Sequence, residues 1–258
     1  MKFVSFFAGI GGIDRGLENA GHECAGQSEI DPDAIKVLQD HWPSVPQLGD
    51  VKEIDPNEIP EAELWTAGFP CTDISAAGNQ EGIHGSKSGL FFDWMRSVRV
   101  VRPQKLLMEN VAALLHRGMG EVCGELATSG YDAEWDCIPA AAVGAPHLRD
   151  RIFIVADADA QGQPQPKRGV QDERRRSGDG DKKEDRKQRV FSEGPAIEFD
   201  GDHHTSLGTD IGCTWAPEPR KDWLDDGLPL GMAEVSSRLF GNAVVVKVAE
   251  YIGKLLPL

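Results

Sequence analysis

Lys2-Phe3-Val4-Ser5-Phe6-Phe7-Ala8-Gly9-Ile10-Gly11-Gly12 is an apolar run that breaks into glycines. The run has the length and composition of a strand. The glycines let the backbone turn tightly and approach a ligand. Ile13, Leu17 and Ala20 then recur at helical spacing. Strand, glycine turn and helix form the opening unit of an open α/β sheet, and the alternation continues outward from it. Residues 22–29 read as a second strand, and Asp31-Pro32 as the N-cap and first residue of a helix reaching about Gln39. Residues 64–69 and 105–109 are further strands, with a helix over 90–100 between them that stops before Pro103. Val122 and Leu126 mark another helix, closed by Gly130. Residues 131–138 and 151–156 read as a closing pair of strands, and 244–256 as a C-terminal helix. The pattern predicts an α/β protein with a doubly wound, mostly parallel sheet.

The 258 residues suffice for one catalytic domain with a smaller appendage. No apolar run approaches the roughly 20 residues of a membrane span. The first run enters a glycine turn instead of a signal-peptide cleavage site, so a soluble, cytoplasmic chain without a membrane partner is expected. Five cysteines, an odd number with no Cys-x-x-Cys pair, argue against a disulfide framework and a structural zinc site. Asp200, Asp202, His203, His204 and Cys213 match no metal-ligand spacing, so no metal is expected. The net charge of −15 counts against a nucleic-acid ligand, but residues 161–190 carry ten Lys/Arg against six Asp/Glu. Within 161–189 the one aliphatic residue is Val170, a composition that predicts a flexible segment.

Polar residues collect where the strands end, which is where ligands of open α/β sheets bind. Phe7, Gly9 and Gly11 form the first turn; taken alone, a structural turn fits them as well as a nucleotide site. Glu29, ending the second strand, is placed to accept hydrogen bonds from ribose hydroxyls. Asp50 falls where a third strand should end and could hold an adenine amine; solvated loop carboxylates are the alternative for each. Pro70-Cys71, with Ser75 in the polar loop behind it, offers either an exposed thiolate nucleophile or a buried inert thiol. Glu109-Asn110 ends another strand, putting a proton-donating carboxyl, or a surface ion pair, at the same rim. Arg149 and Arg151 flank the start of the last strand, facing a base or phosphate, or simply solvent. Asn242 precedes the last helix as a site residue or as its cap.

Taken in order, Phe-x-Gly-x-Gly-Gly, Glu29, Asp50, Pro70-Cys71, Glu109-Asn110-Val111, Arg149-x-Arg151 and Gly241-Asn242-Ala243-Val244 resemble the C5-cytosine DNA methyltransferase family, particularly its compact phage and prophage members. The match covers about 1–156 and 229–258. The resemblance implies a catalytic and cofactor-binding domain over 1–156, a target-recognition region over 157–228, and a return helix over 229–258. It implies S-adenosyl-L-methionine as cofactor, held by Phe7, Gly9, Gly11, Glu29, Asp50, Pro70 and Asn242. Cys71 would be the nucleophile, with Glu109 and Arg149 catalytic, and Asn110, Arg151 and Ser75 on the substrate. Double-stranded DNA is the implied partner of a monomer, with a cognate restriction endonuclease compatible but not required. A tRNA-modifying branch of the family and an inactive DNA-binding relative are the alternatives. A dehydrogenase lacks the Pro-Cys pair and the return helix. Thr72, His147 and Val246 depart from the family's common Gln, Gln and Pro.

Overall fold

A computed structural model describes residues 1–70, 89–145, 149–158 and 243–256. In it β1 (Lys2–Phe6), β2 (Glu23–Ser28), β3 (Leu64–Ala67), β4 (Lys105–Val111), β5 (Tyr131–Ile138) and β6 (Arg151–Ala158) form one sheet in the order β2-β1-β3-β4-β6-β5. The first four of these in space run parallel. β6 is antiparallel to both β4 and β5, so the expected closing pair is present.

The helices are α1 (Gly12–Asn19), α2 (Pro32–His41), α3 (Leu90–Val101), α4 (Leu114–Arg117), α5 (Met119–Thr128) and α6 (Val246–Leu255). Period-two alternation sends Val4, Trp65, Met108 and Ile154 to one face of the sheet, where Trp94 and Val98 of α3 and Leu126 of α5 cover them. Phe3, Leu64, Leu107 and Val155 go to the other face, under Leu17 of α1 and Val248 and Ile252 of α6. Helices on both faces make the sheet doubly wound, as expected. Truncating a fully buried core aromatic such as Trp94 to alanine would cost about 3–5 kcal/mol.

The local signals behave as their chemistry requires. Asp31 caps α2 by accepting from the backbone N–H groups of Asp33 (3.0 Å) and Ala34 (3.5 Å), with Pro32 at the first helical position. Gly130 follows α5 at φ 77°, the left-handed conformation that closes a helix at least cost in glycine. Two expectations are corrected. No third strand ends at Asp50 among the described residues; one parallel bridge, Gln27 to Gln47, stands in its place. Pro43 and Pro46 remove two N–H donors from that stretch, so a ladder cannot propagate. Nor does the last helix begin as early as Val244. The cap position belongs to Val245, and Val246 is the first helical residue, a position where proline would also be at home.

α1 and α6 touch backbone to backbone. A methyl group on Gly12 would lie 2.6 Å from the Val244 carbonyl oxygen, one on Gly16 2.4 Å from the Ala249 methyl, and one on Gly253 2.7 Å from the Ala20 methyl. Glycine at these positions joins residues from opposite ends of the sequence and seats α6 against the strand-helix unit that opens the sheet. Among the described residues, no helix is long and apolar enough to cross a membrane.

Candidate active site

The C-terminal ends of β1, β2, β3 and β4 converge on a cavity of about 300 Å³. Because β6 runs antiparallel to β4, its first residue, Arg151, lies at this same rim, opposite Val111. Phe7, Gly9, Glu29, Asp50, Pro70, Glu109, Asn110 and Arg151, drawn from six separate stretches of sequence, therefore line one space. Apolar wall comes from Val111 of the Glu109-Asn110-Val111 run and from Ala34, Val51, Phe69 and Leu90, which carried no signal in the sequence beyond their hydrophobicity.

The glycine turn is strained and held. Phe7 takes φ 55° and Gly9 φ 57°. The Gly9 N–H donates to Glu29 Oε2 at 2.7 Å, while Glu29 Oε1 accepts from the N–H groups of Ile30 (2.7 Å) and Asp31 (2.9 Å). One carboxylate thus fastens the turn after β1 to the turn after β2. A methyl on Gly9 would meet nothing within 4 Å, so this stretch of backbone is open to a ligand. Gly11 departs from expectation. It does not line the cavity; at φ 80°, a methyl there would sit 2.4 Å from the Trp42 ring. Its glycine serves the packing of α1 on Trp42, whose indole N–H donates to Glu18 Oε1 at 2.7 Å.

Asp50 reaches the cavity from a segment tied to β2. The Leu48 N–H donates to the Gln27 carbonyl (2.7 Å), the Ser28 hydroxyl donates to the Gly49 carbonyl (2.7 Å), and Asp50 Oδ1 accepts from the Lys52 N–H (3.0 Å). Asn110 lines the cavity as well. Its side chain serves the backbone, its Nδ2 donating to the Phe69 carbonyl at 3.0 Å and its Oδ1 accepting from the Val111 N–H at 2.8 Å. That bond ties β4 to the chain two residues before Cys71. Pro70, the residue directly before Cys71, lines the cavity. Cys71, Thr72, Ser75, His147 and Asn242 lie outside the described residues.

Glu109 is the electrostatic centre of the rim. It is 8% exposed, and Arg151 Nε stands 3.0 Å from its Oε1. The two residues are diagonal neighbours across the β4–β6 ladder. Burial outweighs the pull of Arg151 and Arg149, and the Glu109 pKa is pushed up to about 7. A carboxyl poised there can hold or give a proton near neutrality. Arg151 is thus engaged with Glu109 rather than directed solely at an incoming base. Arg149, at φ 38°, donates from Nη2 to the Ala243 carbonyl at 2.6 Å, pinning the chain that leads into α6.

The model of the C-5 cytosine-specific DNA methylase family matches residues 1–193. Over 164 residues the chain is 38% identical to the type II methyltransferase M2.BsuMI of Bacillus subtilis, covering 60% of this chain and 42% of that protein. Over 190 residues it is 30% identical to the type II methyltransferase M.NgoBV of Neisseria gonorrhoeae, covering 65% and 45%. The chain thus spans less than half the length of these curated relatives. The crystal structure of the S. pombe Dnmt2 methyltransferase shares the fold, with a TM-score of 0.53 at 20% identity over 63% of this chain and 52% of that one. With a doubly wound sheet, a glycine turn latched by Glu29, and Glu109 and Arg151 paired at the rim, the chain belongs to the C-5 cytosine-specific DNA methylase family.

Proposed function

We propose that this protein transfers a methyl group from S-adenosylmethionine to C5 of cytosine in a specific DNA sequence, with Cys71 as nucleophile. The observation that carries the reading is Glu109. It is a buried carboxyl with a pKa of about 7, on the wall of the cavity that Pro70 also lines, one residue before Cys71.

The cavity suits the cofactor by the chemistry of its donors. Gly9 leaves its backbone open to an approaching group, Glu29 and Asp50 supply two acceptors, and the apolar walls suit a purine ring. S-Adenosylmethionine, when bound, supplies an electrophilic methyl group on a sulfonium sulfur. Phe7, Gly9, Glu29, Asp50 and Pro70 would hold it, with Gly11 shaping the turn and Asn242 closing the pocket from the return segment.

Cytosine C5 is a weak nucleophile, so its ring must first lose aromaticity. The target base leaves the duplex stack, at a cost of a few kcal/mol. The Cys71 thiolate then adds to C6, and the ring electrons move toward C5 as protonated Glu109 donates to N3. Arg151 keeps the Glu109 carboxyl oriented, and Arg149 fixes the return segment beside the base. The C5 electron pair would form the bond to the methyl carbon as the carbon–sulfur bond of the sulfonium breaks and its pair stays on sulfur. Loss of the C5 proton to a base then expels Cys71 and restores the ring. Asn110 holds the chain two residues before Cys71, and Ser75 would act on the DNA substrate.

Residues 157–228 serve as the target-recognition region and 229–258 as the return segment, the chain acting as a cytoplasmic monomer on double-stranded DNA. Methyl transfer from radiolabelled S-adenosylmethionine to plasmid DNA and to tRNA tests the reading. Label in DNA, mapped by bisulfite sequencing to one motif, is expected. Label in tRNA alone would move the protein to the RNA branch, and label in neither would refute the activity.

A further inference from the structure

Asp14 is fully buried on α1 and does not line the cavity. A carboxyl sealed from water is costly unless donors surround it, and here they do. The Ser5 hydroxyl donates to its Oδ2 at 3.0 Å, with the Thr66 hydroxyl behind it donating to Ser5 at 3.2 Å. The Gln27 amide donates to Oδ1 at 2.8 Å, and the Cys24 thiol lies 3.7 Å from the same oxygen. Burial pushes the Asp14 pKa up while these donors pull it back.

The chain of bonds continues toward the cavity. Because Asp14 accepts from Gln27 Nε2, Gln27 must turn its Oε1 the other way, where it accepts from Gln47 Nε2 at 2.9 Å. Gln27 is itself fully buried. Gln47 sits on the stretch where a third strand is missing, three residues before Asp50, and that stretch has only one bridge to β2. In a three-strand arrangement a ladder would fix this segment. Here two side-chain bonds ending on a buried carboxylate supplement a single backbone bridge and the bond from the Ser28 hydroxyl to the Gly49 carbonyl.

We infer that Asp14 is a positioning residue: it acts through Gln27 and Gln47 to hold the segment bearing Asp50 at the cavity, and so sets affinity for the adenine end of the cofactor. The inference rests on the reading of the cavity as an S-adenosylmethionine site. It assigns Asp14 no contact with cofactor or DNA.

Gln47→Met cuts the relay at its half-buried end without stranding the carboxylate. It should weaken S-adenosylmethionine binding, read by calorimetry on the full chain, about tenfold, as expected for one lost hydrogen bond. The loss should fall on the cofactor KM, with kcat changed less than twofold. Asp14→Ala should weaken binding as much or more, and Asp14→Asn, which keeps an acceptor, should restore much of it. The deciding measurement is the Asp50→Ala background, where Gln47→Met should have no further effect on cofactor affinity. A role in stability alone would lower the melting temperature in both backgrounds and leave cofactor affinity unchanged. Multiplicative losses, or a Gln47→Met variant that binds like wild type, overturn the relay while leaving the cofactor site standing. Failure of the wild type to bind S-adenosylmethionine overturns the site and the relay together.

Discussion

Gly16→Ala puts one methyl group where α1 and α6 touch. The added carbon would lie 2.4 Å from the Ala249 methyl and 2.7 Å from both the Glu250 nitrogen and the Val246 oxygen. Carbon atoms pack at about 3.5–4.0 Å, so α6 must retreat by roughly 1 Å. Overpacking of this kind costs about 1–3 kcal/mol. Exchanging glycine for alanine in a helix interior returns roughly 1 kcal/mol. The balance is a net loss of about 1–2 kcal/mol, from the upper part of the overpacking range because two of the three atoms met are backbone. For a chain of this size that lowers the melting temperature by roughly 2–8 °C. Gly124→Ala is the matched control: it sits inside α5, and a methyl there meets nothing within 4 Å. That variant should gain about 0.5–1 kcal/mol from helix propensity and melt higher by roughly 1–4 °C. Thermal unfolding by circular dichroism reads both. A Gly16→Ala protein that melted at or above wild type would refute the claim that close backbone approach is why glycine stands there.

Cys71→Ser should abolish methyl transfer while leaving calorimetric cofactor binding nearly intact, because a serine alkoxide is far scarcer than a thiolate near pH 7. A duplex carrying 5-fluorocytosine should trap the wild type covalently, and not the variant. Glu109→Gln should slow methylation about 10²–10⁴-fold with little change in cofactor affinity. The same group predicts a pH effect on stability. Its pKa rises from an ordinary 4.5 to about 7 in the folded protein, so the folded state holds the extra proton between those values. Its contribution is full below about 4.5 and is lost as pH climbs to about 7. Denaturant titrations at pH 5 and pH 8 should show a smaller fall for Glu109→Gln than for wild type, and equal falls would refute the burial argument. Glu29→Ala and Asp50→Ala should each weaken S-adenosylmethionine by roughly 1–3 kcal/mol. The loss should be greater at Glu29, which also latches Gly9, and calorimetry ranks the two.

The alternation of strands and helices was legible because apolar runs here are short and punctuated. Gly9 and Gly11, Asp31-Pro32, Pro103 and Gly130 mark element boundaries by chemistry that works locally, and the structure places boundaries within a few residues of them. What sequence could not show depends on contacts made across the fold. Gly9 and Gly11 look equivalent in the turn, yet only the Trp42 ring against Gly11 separates a packing glycine from one open to a ligand. Asn110 reads as a rim residue, but the Phe69 carbonyl that occupies it comes from another strand end. The missing third strand is the reverse case: Pro43 and Pro46 were visible, while the spacing to Asp50 suggested a strand all the same. Asp14 resembles any polar residue in an amphipathic helix. Its burial becomes apparent only when Ser5 and Gln27 converge on it from two strands, with Thr66 of a third bonded to Ser5 behind it.

The pairing of α1 with α6 also bears on the order in which the molecule assembles during synthesis. α1 is made well before its partner, which begins at Val246. Until that late segment leaves the ribosome, the glycine face of α1 and the apolar side chains of Ile13 and Leu17 lack the cover they have in the finished fold. Joining residues so distant in sequence makes for high contact order and slow closure, although each doubling of the intervening loop adds only about 0.6 kcal/mol. Nascent chains therefore pass through a stage with most strands made and one face of the sheet incompletely covered, a target for chaperones and proteases. Ribosome-stalled chains ending before Val246 should be protease-sensitive and aggregation-prone, and a synthetic peptide spanning α6 should protect them.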